Sequence, residues 1–254
     1  MVIIPKTTLS MIVRDEIMNP AGGLLPMLEK HLPLVEEAVV VDTGSLDGTR
    51  QLLEYFQALY PHLRVYDHQF DGYTKSREFA RKKANTRYLL CLDADEVLFE
   101  EEELVEMIND DKTWRGKGIE INFLNFISPT SETYEGCAWN PRLHPRNLGY
   151  GSSHQFGAEK SKCYRREKTE RAIIYHFRPA LGTKKEFWYK LMDTDKYNGE
   201  APSESPYFPD WRTPNVMLVK EKLDLDILKV LEILNSLGLQ PKTEISDAIY
   251  GQLQ

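Results

Sequence analysis

Tyr88-Leu89-Leu90-Cys91-Leu92 runs straight into Asp93-Ala94-Asp95-Glu96. An apolar run without polar alternation predicts a strand buried on both faces, as in the middle of a parallel sheet. The acids follow at its carboxyl end, where open α/β sheets bind ligands. Asp93 and Asp95, one residue apart, can share one hard divalent cation and a nucleoside diphosphate. Oxygen ligands suit Mg2+ or Mn2+ better than zinc. Acids after a strand also cap helices, so what precedes this stretch decides between the two readings.

Three earlier runs also read as strands, two of them leading into acids. Leu9-Ser10-Met11-Ile12-Val13 leads into Arg14-Asp15-Glu16, and Ala38-Val39-Val40-Val41 leads into Asp42-Thr43-Gly44-Ser45-Leu46-Asp47-Gly48-Thr49. Leu63-Arg64-Val65-Tyr66 is followed by a turn at residues 70–74. Helical patterns over 20–32, 49–60 and 75–84 separate the runs, so the strands recur about every 25 to 30 residues, the spacing of βαβ units. Right-handed crossovers would then give a mostly parallel sheet with helices on both faces. The acids at Glu16, Asp42 and Asp95 would lie along one edge, a convergence that three independent helix caps do not explain.

Beyond residue 100 the pattern changes. Residues 101–110 read as a helix. Residues 118–124 alternate with period two, as a half-buried strand does, and 134–143 offer an antiparallel partner. Residues 144–170 read as loop, 172–177 as strand and 184–197 as helix. Pro202, Pro206, Pro209 and Pro214 mark a linker over 200–214. From 217 to 237 a strong amphipathic helix carries Leu223, Ile227, Val230, Leu231 and Leu234 on one stripe, for packing or as the surface of a homodimer.

The net charge of −7, with scattered Lys and Arg, argues against a nucleic-acid binder. The cysteines Cys91, Cys137 and Cys163 form neither a disulfide framework nor a zinc motif and suit a reducing compartment. No apolar run approaches the roughly 20 residues of a membrane span, and Arg14, Asp15 and Glu16 interrupt the N-terminal apolar patches too early for a signal peptide. The expected location is cytoplasmic, with peripheral membrane contact left open.

Taken together, Ser10–Glu16, Val40–Thr49, Ser76-Arg77-Glu78-Phe79-Ala80 and Leu92–Glu96 resemble the family-2 glycosyltransferases, specifically the small bacterial and viral enzymes that extend surface glycans. The resemblance covers about residues 8–100 well and 140–180 loosely, with four motifs in order. It implies a GT-A fold: an α/β, mostly parallel Rossmann-like sheet with a smaller antiparallel acceptor-side part and a C-terminal helical extension. The expected division is a GT-A domain over 1–199 (nucleotide-sugar half 1–100, acceptor half 101–199), the linker, and an extension over 215–254.

The resemblance also implies a metal-dependent, inverting transfer from a nucleoside-diphosphate sugar to a glycan or glycolipid hydroxyl. Arg14 and Glu16 would lie beside the base, and Asp42 would accept the N3–H of a uracil- or thymine-type base. Arg77 matches the basic residue near the ribose or diphosphate. Asp93 would contact the ribose and, through water, the metal; Asp95 would bind the Mn2+ or Mg2+ that bridges the diphosphate. The chemistry is consistent on its own terms: charge grows on the leaving diphosphate, and a cation with Arg77 or Lys75 would stabilise it.

Inversion needs a base for the acceptor proton. The family often carries Arg-Leu-Phe and then His-Glu; here Arg142-Leu143-His144 and His154-Gln155 stand instead. Glutamine accepts no proton, which leaves His154 as base or metal ligand, with Glu159 another candidate. His176, at a strand end, could face the metal or simply be hydrogen-bonded in the fold. Two competing readings are a sugar nucleotidyltransferase, whose glycine-rich loop after the first strand is missing, and a non-catalytic glycan- or nucleotide-binding descendant of a transferase.

Overall fold

The computed structural model describes residues 2–14, 16, 24–45, 48–110, 118–126, 133–137, 141–150, 166–177, 233 and 236–238. Its first half alternates strand and helix: β1 (Ile4–Val13), α1 (Leu24–His31), a 3-10 turn (Leu32–Leu34), β2 (Val35–Asp42), α2 (Thr49–Leu59), β3 (Leu63–Asp67), α3 (Tyr73–Lys83) and β4 (Tyr88–Cys91). The strands lie in the order β3-β2-β1-β4, all parallel.

Alternation within each strand explains the layers. Val39 and Val41 of β2 and Leu89 and Cys91 of β4 face α3, where Ala80 and Ala84 complete a small core. Ala38 and Val40 of β2, Leu9 and Met11 of β1, and Tyr88 and Leu90 of β4 face the larger core formed with α1 and α2. Side chains two residues apart share a face, so strands apolar at every position are covered on both sides. Each fully buried leucine, such as Leu90, contributes about 1.5–3 kcal/mol relative to exposure. Helix α2 shows the complementary period: Leu52, Leu53 and Phe56 are buried, while Gln51, Glu54 and Gln57 face solvent.

The second half is woven differently. It comprises β5 (Glu96–Phe99), α4 (Glu102–Asn109), β6 (Gly118–Phe126), β7 (Thr133–Cys137), β8 (Leu143–Pro145) and β9 (Arg166–Phe177). From β4 the sheet continues through β8, β6 and β9 to β5, with β7 on β6. Strand β8 is antiparallel to β4 and β6, and β5 is antiparallel to β9. Strand β6 runs parallel to β9. This is a mixed α/β sheet with helices on both faces.

Differences from the sequence reading concentrate in this half. The run 134–143 overlaps β7, which does pair antiparallel with β6. Residues 143–145 form a separate strand, and β9 begins at Arg166, inside the segment read as loop. Strand β5 was not expected: it is only four residues long and pairs with residues 173–176. Such short strands carry too little periodicity to be read locally.

Helix α4 locks this weave through Glu103. Its carboxylate accepts the backbone N–H groups of Glu170 and Arg171, each at 2.8 Å, and of Ala172. They flank the point where the β6–β9 register shifts, so a side chain satisfies donors beside the break in the ladder. Ile233 is buried in the larger core, with Leu237 packed against it. The rest of the helix expected over 217–237, its proposed dimer stripe, the 200–214 linker and the 184–197 helix lie outside the described residues. No helix among the described residues is long and apolar enough to cross a membrane.

Candidate functional site

Strand register brings the predicted acids to one edge. Val13, Asp42 and Asp67 are partners in a row across β1, β2 and β3. Ser10 pairs with Cys91, and the same offset carried past the strand end sets Ala94 level with Val13. Asp42, Asp93 and Asp95 therefore lie at the carboxyl edge of the parallel strands.

The loop after β2 is built to hold its carboxylate. Asp42 is buried and accepts the N–H groups of Gly44 and Ser45 on Oδ1, at 2.9 and 2.8 Å. Thr43 ties the loop to β1 by donating N–H and Oγ1–H to the Val13 carbonyl, at 2.9 and 3.0 Å. Gly44 has φ +108° and Gly48 φ +98°, conformations that side chains resist, so the glycines are there for the turn. Glu16 donates its N–H to Thr49 Oγ1 at 2.7 Å, which joins the end of β1 to the start of α2. Arg14 lies at the end of β1 beside it. Lys75 is exposed on α3 and pairs with Asp71 one turn earlier.

The acids after β4 meet charged partners from distant segments. Arg77, buried on α3, bonds Asp93 Oδ1 and also donates to the Ser10 carbonyl at 3.2 Å. Arg142, immediately before β8, bonds buried Glu96 and approaches Asp93 Oδ2 at 3.8 Å. Glu96 in turn accepts the Asp93 N–H on Oε2 at 3.0 Å, and the Glu96 N–H donates to the Asp93 carbonyl at 3.1 Å. The 93–96 turn is thus closed on itself and clamped by two arginines.

These contacts set the protonation states. Burial pushes the Asp93 carboxyl up, but the Arg77 and Arg142 guanidiniums outweigh it and hold it below the ordinary range. Burial lifts Glu96 to about 7, against the pull of Arg142 and with Asp93 and Asp95 adding to the rise. His176 of β9 reaches Asp95 because β9 pairs with β5 and places His176 opposite Glu96. Its Nε2 lies 3.5 Å from Asp95 Oδ2. Burial disfavours its charged form, yet the neighbouring Asp95 and Glu96 leave its pKa above the usual value.

Behind this cluster, Cys91 Sγ lies 2.8 Å from the Tyr150 hydroxyl and 3.5 Å from His144 Nε2. Tyr150 also donates its N–H to Glu78 at 2.7 Å, so the segment after β8 is pinned to both β4 and α3.

A divalent ion can be tested against this geometry. Two ligand atoms at right angles, each about 2.1 Å from an octahedral ion, lie about 3.0 Å apart. The 3.5 Å between Asp95 and His176 fits with a small adjustment. Asp93 fits less well as a direct ligand, because its carboxylate is bonded by Arg77. Among the described residues, no group of three or more ligand side chains converges, so substrate or water oxygens would complete the shell. His154, Gln155 and Glu159 lie outside the described residues.

The structure therefore brings Arg77, Asp93, Asp95 and His176 together and adds Arg142 and Glu96. The sequence contained a signal for both: Glu96 follows Asp95 directly, and Arg142 opens the Arg142-Leu143-His144 run. What it lacked was the pairing that joins them.

Residues 27–114 match the family described as glycosyl transferase family 2. Among solved structures, residues 1–349 of S. aureus TarS are similar at 18% identity, with a TM-score of 0.51, over 74% of this chain and 64% of that one. The same region solved with UDP matches at 15% identity and TM-score 0.52, over 74% and 63%. Solved with UDP-GlcNAc, it matches at 19% and 0.50, over 68% and 58%. At these identities the likeness is one of fold, and the chain spans less than two thirds of each of these solved chains. No curated protein matches the chain.

Proposed function

We propose that this enzyme, whose residues 27–114 match glycosyl transferase family 2 and whose fold is of the GT-A kind, moves a sugar, with inversion, from a uridine- or thymidine-diphosphate donor to a glycan hydroxyl. The observation that carries this reading is the division of labour between two neighbouring acids. Asp93 is charge-compensated by Arg77, whereas Asp95 faces the His176 imidazole 3.5 Å away, a small adjustment from the spacing of two ligands on one ion. A carboxylate pair without a cation would repel a diphosphate; this arrangement neutralises one acid and leaves the other to hold a metal. The complexes of the S. aureus neighbour with UDP and UDP-GlcNAc support a uridine donor.

In this reading Asp42 accepts the base N3–H through Oδ2, since Oδ1 is committed to the loop. Arg14 and Glu16 flank the base. Asp93, oriented by Arg77, accepts a ribose hydroxyl. Asp95 and His176 would hold Mn2+ or Mg2+, whose chemistry is to stabilise charge on the departing diphosphate. Lys75, at the start of α3, adds positive charge on the same side. The acceptor oxygen attacks the anomeric carbon as the bond to the diphosphate oxygen breaks. The electron pair leaves with the diphosphate, and the acceptor proton passes to a base, for which His154 is the proposed residue. The chain divides, in this proposal, into a donor half over 1–100, an acceptor half over 101–199, a linker over 200–214 and an extension over 215–254.

Calorimetry with UDP, GDP and dTDP, each with Mn2+ and with EDTA, tests the donor site. One uridine- or thymidine-type nucleotide should bind only with metal, and Asp95→Ala should weaken it by at least about 100-fold, since even residues behind metal ligands cost 10–100-fold. Metal-independent binding, or none, would overturn the reading. Pyrophosphate exchange with a sugar phosphate would instead favour a nucleotidyltransferase.

A further inference from the structure

Strands β4 and β8 pair with Tyr88 opposite Pro145, and the register carried one step outward sets Arg87 opposite Arg146. The Arg146 N–H donates to the Arg87 carbonyl at 2.9 Å, so the two are true cross-strand neighbours. Like charges directly opposite destabilise a sheet. Among the described residues neither guanidinium has a carboxylate partner. Arg87 is exposed and lies over the Tyr88 ring, 5.2 Å from its centroid. Arg146 donates Nε to the Thr86 carbonyl at 2.9 Å, which fixes its plane. Between them opens a cavity of about 320 Å3 lined by Arg87, Tyr88, Pro145, Arg146 and Asn147. Its size is that of a small-ligand site. It holds two cations, an amide and apolar walls, and no acid, in a chain of net charge −7.

We propose that this cavity between Arg87 and Arg146 is a second ligand site that binds a phosphate group. Guanidinium forks match phosphate oxygens in two-point hydrogen bonds. A phosphate seated there would turn a repulsive cross-strand pair into a bridged one. The site is distinct from the acidic edge: Tyr88 and Asp93 are five residues of extended chain apart, about 16 Å. It stands at the opposite end of β4, and β8 joins the two, with Arg142 just before the strand at the donor end and Arg146 just after it. The inference does not depend on the donor reading.

The test is amide NMR of the full chain in EDTA, titrated with inorganic phosphate at constant ionic strength. Arg87, Arg146 and Asn147 amides should shift and saturate with a Kd below about 1 mM. Arg87→Gln should weaken this at least about tenfold, and Arg146→Gln likewise. Thermal melting in chloride confirms that each variant is folded. Shifts that never saturate, or that persist equally in Arg87→Gln, would overturn the proposal. Vesicles of phosphatidylcholine with and without phosphatidylglycerol identify the source. Arg87-dependent sedimentation with the anionic vesicles assigns a lipid headgroup; Arg87-dependent binding of free phosphate alone assigns a soluble phosphate.

Discussion

The two halves of the sheet deliver side chains to the same edge by different routes. In the parallel half, the candidate acids follow the ends of their strands, and their positions follow from the few residues before them. Asp42 is held by Gly44 and Ser45, and Thr43 by Val13 of the neighbouring strand. In the antiparallel half, residues arrive sideways. His176 reaches Asp95 because β9 pairs with β5, and Arg142 reaches Glu96 because it enters β8 beside β4. The first route is local and repeats from unit to unit. The second depends on register, where a slip of one residue turns every side chain to the other face. Half of the charged cluster therefore rests on the weave of the second half.

The largest break in that comparison should come from Arg142→Ala. It removes the guanidinium bonded to Glu96 and leaves Asp93 with Arg77 alone, and removing one partner of a buried pair costs about 3–5 kcal/mol. Because Glu96 titrates near 7, the loss should be largest near pH 8 and smaller near pH 5.5, where Glu96 can take up a proton. Urea unfolding at the two pH values measures it. Equal losses at both would show that the cluster is not held by this charge pair.

Next comes acid sensitivity at the joint between the halves. His31 of α1 is fully buried, donates Nδ1–H to the Met27 carbonyl at 2.7 Å and accepts the Leu98 N–H of β5 on Nε2 at 3.0 Å. Burial lowers its pKa to about 4. The unfolded chain therefore binds a proton more readily than the folded one. This contribution is intact above pH 6.5 and is lost as pH falls toward 4, by about 3 kcal/mol in all. His31→Gln should lower stability at pH 7 and flatten this part of the acid slope.

A smaller effect tests the clamp on β9. Glu103→Gln replaces an acceptor-only carboxylate with a group that has a single acceptor oxygen for three N–H donors. A cost of about 1–3 kcal/mol is expected, with faster amide exchange at residues 170–172 and little change in β1–β4. Exchange that rises equally in both halves would deny the second half its separate lock. Smallest of all, Lys75→Ala should change stability by about 0.5 kcal/mol or less, because the Lys75–Asp71 pair is largely exposed. A marked loss of nucleotide affinity with unchanged melting would give Lys75 a role in the donor site rather than in the helix.

How much of this was legible in the sequence follows the same division. The apolar runs at 38–41 and 88–92, and the acids behind them, specify β2 and β4 and the edge they share. A strand buried on both faces must be apolar throughout, and it must end where polar residues begin. The glycines at 44 and 48 likewise announce a turn that few other residues could make. Strands β5 and β8, four and three residues long, carry no such signature; they exist because partners elsewhere supply their hydrogen bonds. The meeting of His176 with Asp95, the Arg142–Glu96–Asp93–Arg77 chain and the opposition of Arg87 to Arg146 were likewise decided by tertiary pairing. Local pattern encodes which face of a segment is covered, because burial is read residue by residue. It does not encode which distant segment does the covering, because that choice is made by register across the whole sheet.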